Sequence, residues 1–279
     1  MRANDLMDKD PVIAEIPSSR QEVLKLLVKH NLPALPVVKA ETKKFTGIIT
    51  RDRIFEQVEE EQIALLMESD PITIEAEEDL KTIASILSRH RCRIIPVVDK
   101  QMNLVGLIRS TNLLELLNGN KKPIKEFMTS HSVPIYEETP LPVVMEIFTL
   151  TKEDALPVLD KSASLVGVAT EGDLFRVIHI NERVAKSELG MGEDEDQWTW
   201  EGMRDIVRFY YATSRIDLPP VPVKEIMVKQ VICASKQSGV EEVANKMLRH
   251  NISQMPVLNE SNKLSGLIDE LDLMKAFDQ

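Results

Sequence analysis

Four copies of one spacing run along this chain, and a chain marked in that way can fold only as a set of alike units. A methionine, a proline and a glycine recur as Met7, Pro36 and Gly47; Met67, Pro96 and Gly106; Met128, Pro157 and Gly167; and Met227, Pro256 and Gly266. The Met-to-Pro offset is 29 in every copy (36−7, 96−67, 157−128, 256−227), and the Pro-to-Gly offset is 11, 10, 10 and 10. A period near 60 residues means one supersecondary unit repeated, with function to be sought where copies meet. Glycine-to-glycine intervals are 59, 61 and 99, so the last is longer by about 40 residues. The units divide as residues 1–58, 59–119, 120–180 and 223–279, with 181–222 inserted before the fourth.

Within a unit the pattern predicts β-α-β-β-α. In the fourth copy Val240, Val243, Ala244, Met247 and Leu248 follow the i, i+3, i+4, i+7, i+8 rule of one helical face. Ser238 with Glu241, and Ser19 with Glu22, have capping-box spacing, while Thr139 precedes Pro140 at an expected first turn. Strand-like runs precede each helix (Val12 to Ile16, Ile72 to Ile74, Val133 to Tyr136, Val231 to Ala234). Others follow it at Leu35 to Val38, Ile94 to Val98, Leu156 to Leu159 and Met255 to Leu258. The fold class is thus α/β, built of α+β repeats. A small sheet with helices on one face leaves the other face bare, so the units must pair into two pseudo-twofold modules with clefts between partners.

Composition excludes several classes. There is no apolar run of 18 residues and the start, Met1-Arg2-Ala3-Asn4-Asp5, lacks a signal-peptide core, so no membrane partner and a cytoplasmic location are expected. A net charge of −11 argues against a nucleic-acid surface. His30, His90, His131, His179 and His250 are scattered singly, which predicts no metal site; three of them recur at helix ends, where a cation suits the dipole. Cys92 and Cys233 lie in apolar segments and read as reduced thiols. The insertion carries an acidic loop, Gly190 to Asp196, then an aromatic helical pattern from Trp198 to Tyr211, and ends in Leu218-Pro219-Pro220-Val221-Pro222. That helix reads either as packing on the outside of the second pair or as a partner surface.

The repeated h-M start, h-P-V-h strand and G-h-h-[ST]-x-x-D element resemble the cystathionine beta-synthase (CBS) domain, and the whole chain resembles archaeal four-CBS proteins, with the gamma subunit of AMP-activated protein kinase a relative of similar layout. The resemblance implies paired domains, called Bateman modules, that bind adenosyl ligands in their clefts and act as regulators. The aspartate of the last element would hold a ribose, beside the backbone N–H groups of a helix start. The same Thr170 and Asp173 also fit a capping box, so a structural role stays open.

The copies differ just there. The third has Thr170 and Asp173; the fourth has Asp269 and Asp272; the first has Thr50 and Arg53; the second has Arg109 and Asn112. Carried over from the family, Asp173 would face Ile232, Ile252 and Ser253, and Asp272 would face Thr129, Val133, Glu153 and Asp154. The phosphate-contacting arginine of kinase gamma subunits would fall at Ala155 or Gln254 and is missing. A phosphate among Asp269, Asp272 and Asp154 would therefore meet like charge without a compensating cation, which favours S-adenosylmethionine or methylthioadenosine in the repeat 3/4 module. The first module gathers Arg53, Arg91, Arg93 and Arg109 with Thr50, a set suited to AMP, ADP or ATP, although surface arginines are more often simply solvated. The expected function is a non-enzymatic adenosyl-ligand sensor with an unidentified regulated partner, and the alternative is a partner-binding scaffold with degenerate clefts. No P-loop, GxGxxG or nucleophile elbow suggests catalysis or a catalytic cofactor. Four repeats can close a disc within one chain, or modules can stack on those of a second chain as a homodimer.

Overall fold

The computed structural model describes all residues except 31, 57–59, 129–131, 178, 184–212 and 279. Thr129, His131, the Gly190 to Asp196 loop and the Trp198 to Tyr211 segment lie outside the described residues.

Each repeat is built on an antiparallel hairpin whose first strand carries the proline and whose second carries the glycine. The pairs are Ala34–Lys39 with Phe45–Thr50, Ile94–Val98 with Leu104–Arg109, Ala155–Leu159 with Leu165–Thr170, and Gln254–Leu258 with Leu264–Asp269. In every copy the residue after the proline faces the glycine: Val37 to Gly47, Val97 to Gly106, Val158 to Gly167 and Val257 to Gly266. A third strand adds in parallel to the proline strand in three repeats, as Ala14–Ile16, Ile135–Tyr136 and Ala234–Ser235. In the second repeat the run expected as a strand contributes one bridge, Ile74 to Val97.

The constancy of methionine and glycine has a single cause. In three copies, after Met7, Met67 and Met227, the residue following the methionine forms a two-bond bridge with the residue after the glycine of the partner repeat. Asp8 and Leu107 exchange amide-to-carbonyl bonds of 2.9 Å each, Glu68 and Ile48 bonds of 2.8 and 3.0 Å, and Val228 and Val168 bonds of 2.9 and 3.1 Å. Repeats 1 and 2 therefore pair reciprocally, and repeats 3 and 4 pair by the same contact. At this approach a side chain on the glycine has no room: a Cβ on Gly47 would stand 2.2 Å from the Glu68 carbonyl oxygen, and on Gly106 or Gly167 2.5 or 2.3 Å from Sδ of Met7 or Met227. The proline is tolerated for the same reason. Pro36 lies opposite Ile48, whose amide and carbonyl are both engaged by Glu68, so its missing N–H leaves no bond unmade on that side.

Pairing also finishes the helices. Ser19 and Glu22 form the expected capping box, with Ser19 N donating to Glu22 Oε2 at 2.9 Å and Glu22 N to Ser19 Oγ at 3.3 Å. The expected box at Ser238 and Glu241 does not form. The helix Val240–His250 is instead capped from the partner repeat, Val240 N donating to Lys122 O and Glu241 N to Asn120 O, both at 2.9 Å. In the third repeat the helix is Leu141–Thr151, with Pro140 at the cap and Leu141 N bonded to Val221 O. Orphan amides at a helix start need one partner each, and a carbonyl from the neighbouring repeat serves as well as a hydroxyl.

The two modules then stack inside the chain. Ile83, Ala84, Leu87, Leu113 and Leu117 of repeat 2 share one buried core with Val240, Val243, Met247, Leu271 and Met274 of repeat 4. Repeats 1 and 3 keep separate cores, around Leu27, Leu35 and Ile49 and around Leu141, Phe148 and Leu156. Helices of repeats 2 and 4 thus cover each other without a second copy.

The close approach at the glycines generates a comparison. In urea unfolding, Gly47→Ala should cost about 1–3 kcal/mol, because its clash is with backbone, and Gly167→Ala less, because the Met227 thioether can swing aside. A Gly47→Ala loss no larger than that of Gly167→Ala would contradict this.

Candidate functional site

At the end of the glycine strand of repeat 4, the chain turns from Leu264–Asp269 into the short helix Glu270–Met274. Asp269 caps that helix, its Oδ1 accepting from Asp272 N at 2.7 Å. Three acidic side chains, Asp269, Glu270 and Asp272, are consequently buried within four residues. Buried carboxylates require partners. Here they come mainly from another module.

The helix Leu80–His90 of repeat 2 packs against repeat 4, and the segment just past its end crosses the interface. Arg91 sets Nη2 2.5 Å from Asp269 Oδ2 and Nη1 3.5 Å from Asp272 Oδ1. Arg93 sets Nη1 2.5 Å from Glu270 Oε1 and Nη2 2.8 Å from Asp154 Oδ2 and 3.2 Å from Gln254 Oε1. Ser110, which opens the corresponding helix of repeat 2, donates from Oγ to Glu270 Oε1 at 2.7 Å. Lys275 closes the group on its own repeat, Nζ lying 2.7 Å from Asp272 Oδ1. Repeats 2, 3 and 4 all contribute to this cluster.

Beside it opens a cavity of about 410 Å³ lined by Arg89 and Arg91 of repeat 2, Lys152, Glu153 and Asp154 of repeat 3, and Asp269, Asp272 and Lys275 of repeat 4, among others. Its formal charges balance, four cations against four carboxylates among those eight. Burial pushes the Asp269 carboxyl above its ordinary range, with Asp272 adding to the effect and Arg91 opposing it. Burial also raises Glu153, with Asp154 close by. Glu270 is raised by burial against the pull of Arg93 and Ser110, and its Oε2 has no hydrogen-bond partner. Burial works against the charge of Arg93 as well, but Asp154 and Glu270 outweigh it and hold the guanidinium protonated.

Of the residues singled out from sequence, the structure brings together Asp154, Asp269 and Asp272, with Glu153. Val133 packs on the repeat 3 core, Ile232 and Ile252 on the shared core, and the Ser253 carbonyl accepts from Glu270 N at 2.9 Å. Thr170 and Asp173 close on each other: Thr170 Oγ1 donates to Asp173 Oδ2 at 2.7 Å and Asp173 N to Thr170 Oγ1 at 3.3 Å, a complete capping box. The arginine set assigned to the first module does not assemble. Arg91 lines the repeat 3/4 cavity and Arg93 lies buried beside it, because the segment just past the helix Leu80–His90 packs on repeat 4. Arg53 is exposed, Thr50 Oγ1 lies 3.4 Å from Arg53 N, and Arg109 approaches Asp8 at 3.6 Å. The inference that the repeat 3/4 cleft lacks a compensating cation is likewise overturned, since repeat 2 supplies two. Glu270, Ser110, Lys152 and Lys275 were missed; the one available signal was an acid-rich corner, Asp269 to Asp272, inside an apolar context.

Among the described residues no group of three or more His, Cys, Asp or Glu could hold a metal ion. Both cysteines are free and half-buried, and burial pushes the Cys92 thiol up to about 11.

With this geometry in hand, comparison places the fold. The CBS domain model matches residues 3–60, 61–119, 124–180 and 223–279, and the chain belongs to the CBS domain family. Protein MJ1225 of Methanocaldococcus jannaschii is 22% identical over 282 residues, 92% of this chain and 91% of its own. Its crystal structure, described as that of a proposed archaeal homologue of the kinase gamma subunit, superposes with a TM-score of 0.78 at 20% identity, covering 99% of this chain and all of that one. A conserved protein of Pyrococcus horikoshii superposes with a TM-score of 0.66 at 27% identity, again covering 99% and 100%. An L-aspartate semialdehyde sulfurtransferase of Methanocaldococcus jannaschii is 30% identical over 112 residues, 40% of this chain but only 22% of that enzyme's length.

The buried network makes its own prediction. Arg93→Met leaves Glu270 buried without its cation and should cost about 3–5 kcal/mol at pH 8, whereas Arg93→Met with Glu270→Leu should recover most of the loss. A carboxyl raised by burial costs stability above its folded pKa, and the cost fades as pH falls through that value. The Arg93→Met deficit should therefore shrink between pH 8 and pH 5 in urea unfolding; a deficit that is constant, or grows on acidification, would contradict the assignment.

Proposed function

We propose that this chain is a non-enzymatic regulatory protein that binds an adenosyl ligand between paired CBS domains, with the repeat 3/4 cleft over Asp272 as its principal site. The observation that carries the reading is a buried aspartate, Asp272, beside a cavity lined from the partner repeat by Glu153 and Asp154. An aspartate there can accept both hydroxyls of a ribose. Residues 1–58, 59–119, 120–180 and 223–279 would act as the four domains, the segment 181–222 as an appendage, and the whole in the cytoplasm. Among the described residues no helix is long and apolar enough to cross a membrane.

The charge of the cleft changes the ligand preference drawn from sequence. S-adenosylmethionine and methylthioadenosine were favoured there because the cleft looked uncompensated. Arg91 and Arg93 supply the compensation, so an adenine nucleotide such as AMP or ADP fits the balance better than a sulfonium does. The first module, without those arginines, loses its case as the nucleotide site. The regulated partner would read the state of this repeat 3/4 cleft, and a homodimer would use a face other than the helices shared by repeats 2 and 4.

The second reading, a scaffold that binds only proteins, is favoured by one fact: the cleft carboxylates already have internal partners in Arg91, Arg93 and Lys275. Thermal melting separates the two. AMP at a hundredfold its dissociation constant should stabilise the chain by about 2.7 kcal/mol. Asp272→Asn should remove that shift. Melting that is unmoved by AMP, ATP, S-adenosylmethionine and methylthioadenosine alike would favour the scaffold.

A further inference from the structure

The two arginines that cross from repeat 2 are not equivalent. Arg93 is locked: its side chain is only 14% exposed and is held by Glu270, Asp154 and Gln254 at once. Arg91 is 49% exposed, reaches Asp269 and Asp272, and lines the cavity. It occupies the left-handed position that ends its helix, with φ 52° and ψ 32°, as Lys152 and Asn251 do in repeats 3 and 4 with φ 56° and 50°. A long side chain on a helix end, half in water, can change partners without disturbing the core beneath it.

Its present partners matter because one of them is the ribose carboxylate of the reading above, on which this inference rests. A guanidinium fork and a pair of ribose hydroxyls compete for the same aspartate oxygens. A neutral nucleoside entering the cleft must turn Arg91 out toward water and offers it nothing in exchange. A ligand with a phosphate offers a new anionic partner, so the arginine keeps a charge-assisted contact while it clears the cavity side of Asp269 and Asp272 for the hydroxyls, Lys275 staying on Asp272 Oδ1. A sulfonium would add a positive charge next to Arg91, Arg93 and Lys275.

We infer that Arg91, a residue of the other module, is the charge-selecting element of the repeat 3/4 cleft: it guards Asp269 and Asp272 and yields them only to an adenosyl ligand that carries an anionic group. Selectivity in this account is the difference between what the displaced guanidinium gains and what it loses. Because the guard belongs to repeat 2, a ligand in the second module changes a contact made by the first, without any ligand of the first module's own.

Calorimetric titration of the full chain with AMP, adenosine and S-adenosylmethionine tests this, on the natural sequence, Arg91→Gln and Arg91→Lys. The natural chain should bind AMP at least about tenfold more tightly than adenosine, and S-adenosylmethionine weakest. In Arg91→Gln, AMP should weaken while adenosine tightens, bringing the ratio to about twofold or less. Arg91→Lys, which keeps the charge, should keep the order. An AMP-to-adenosine ratio unchanged in Arg91→Gln, or both ligands weakening in parallel, overturns the inference while the adenosyl reading stands. Failure of every ligand to bind the natural chain and Arg91→Gln alike overturns both.

Discussion

A guanidinium can be buried only where carboxylates meet it, and Arg93 meets two, one from each of the other repeats that close the cleft. Glu270 reaches it from repeat 4 and Asp154 from repeat 3, at 2.5 and 2.8 Å. Burial works against the charge of Glu270 and Arg93 offsets it, while the arginine could not leave water without its carboxylates. The three repeats are therefore held in one arrangement by a contact that apolar packing alone would not specify. Around it lie the shared core of repeats 2 and 4 and, at the rim, the more exposed Arg91.

The modules are consequently unlike halves. In each, the repeats are joined by the same backbone bridge beside a glycine, which fixes pseudo-twofold pairing and leaves two clefts. Between the modules the contact is lopsided: repeats 2 and 4 merge their cores, repeats 1 and 3 do not. The merged side sends Arg91 and Arg93 towards the repeat 3/4 cleft, while on the other side the Arg51 guanidinium of repeat 1 lies against Gly172 of repeat 3. The cleft of the second module is thus completed by the first, and chemistry that looks local to one pair of repeats belongs to three.

Much of the scaffold was legible because its marks are backbone constraints. Gly47 cannot carry a Cβ so close to the Glu68 carbonyl, and the Ser19 to Glu22 box caps the helix it was read to cap. The Ser238 box failed because Asn120 and Lys122, distant in sequence, already serve the same amides. The destination of Arg91 and Arg93 was illegible for a related reason. Alternation and period identify which face of a helix is apolar, but not which of several similar faces it meets. Reading Arg91 and Arg93 as neighbours of Arg53 and Arg109 assumed that a repeat contacts only its partner within the pair. Thr170 and Asp173 show the opposite case: their spacing was read correctly, and the same spacing served a cap and a ribose site equally, so sequence could not choose between them.

Repeat 2 forms a wall of the cavity beside Asp269 and Asp272. A crystal structure of the full chain grown with AMP tests it. The ribose hydroxyls should lie on Asp272, and the phosphate should lie within hydrogen-bond distance of the Arg91 guanidinium, drawn away from Asp269. A nucleotide seated between repeats 3 and 4 with Arg91 still on Asp269 and Asp272, or seated in the first module alone, would contradict it.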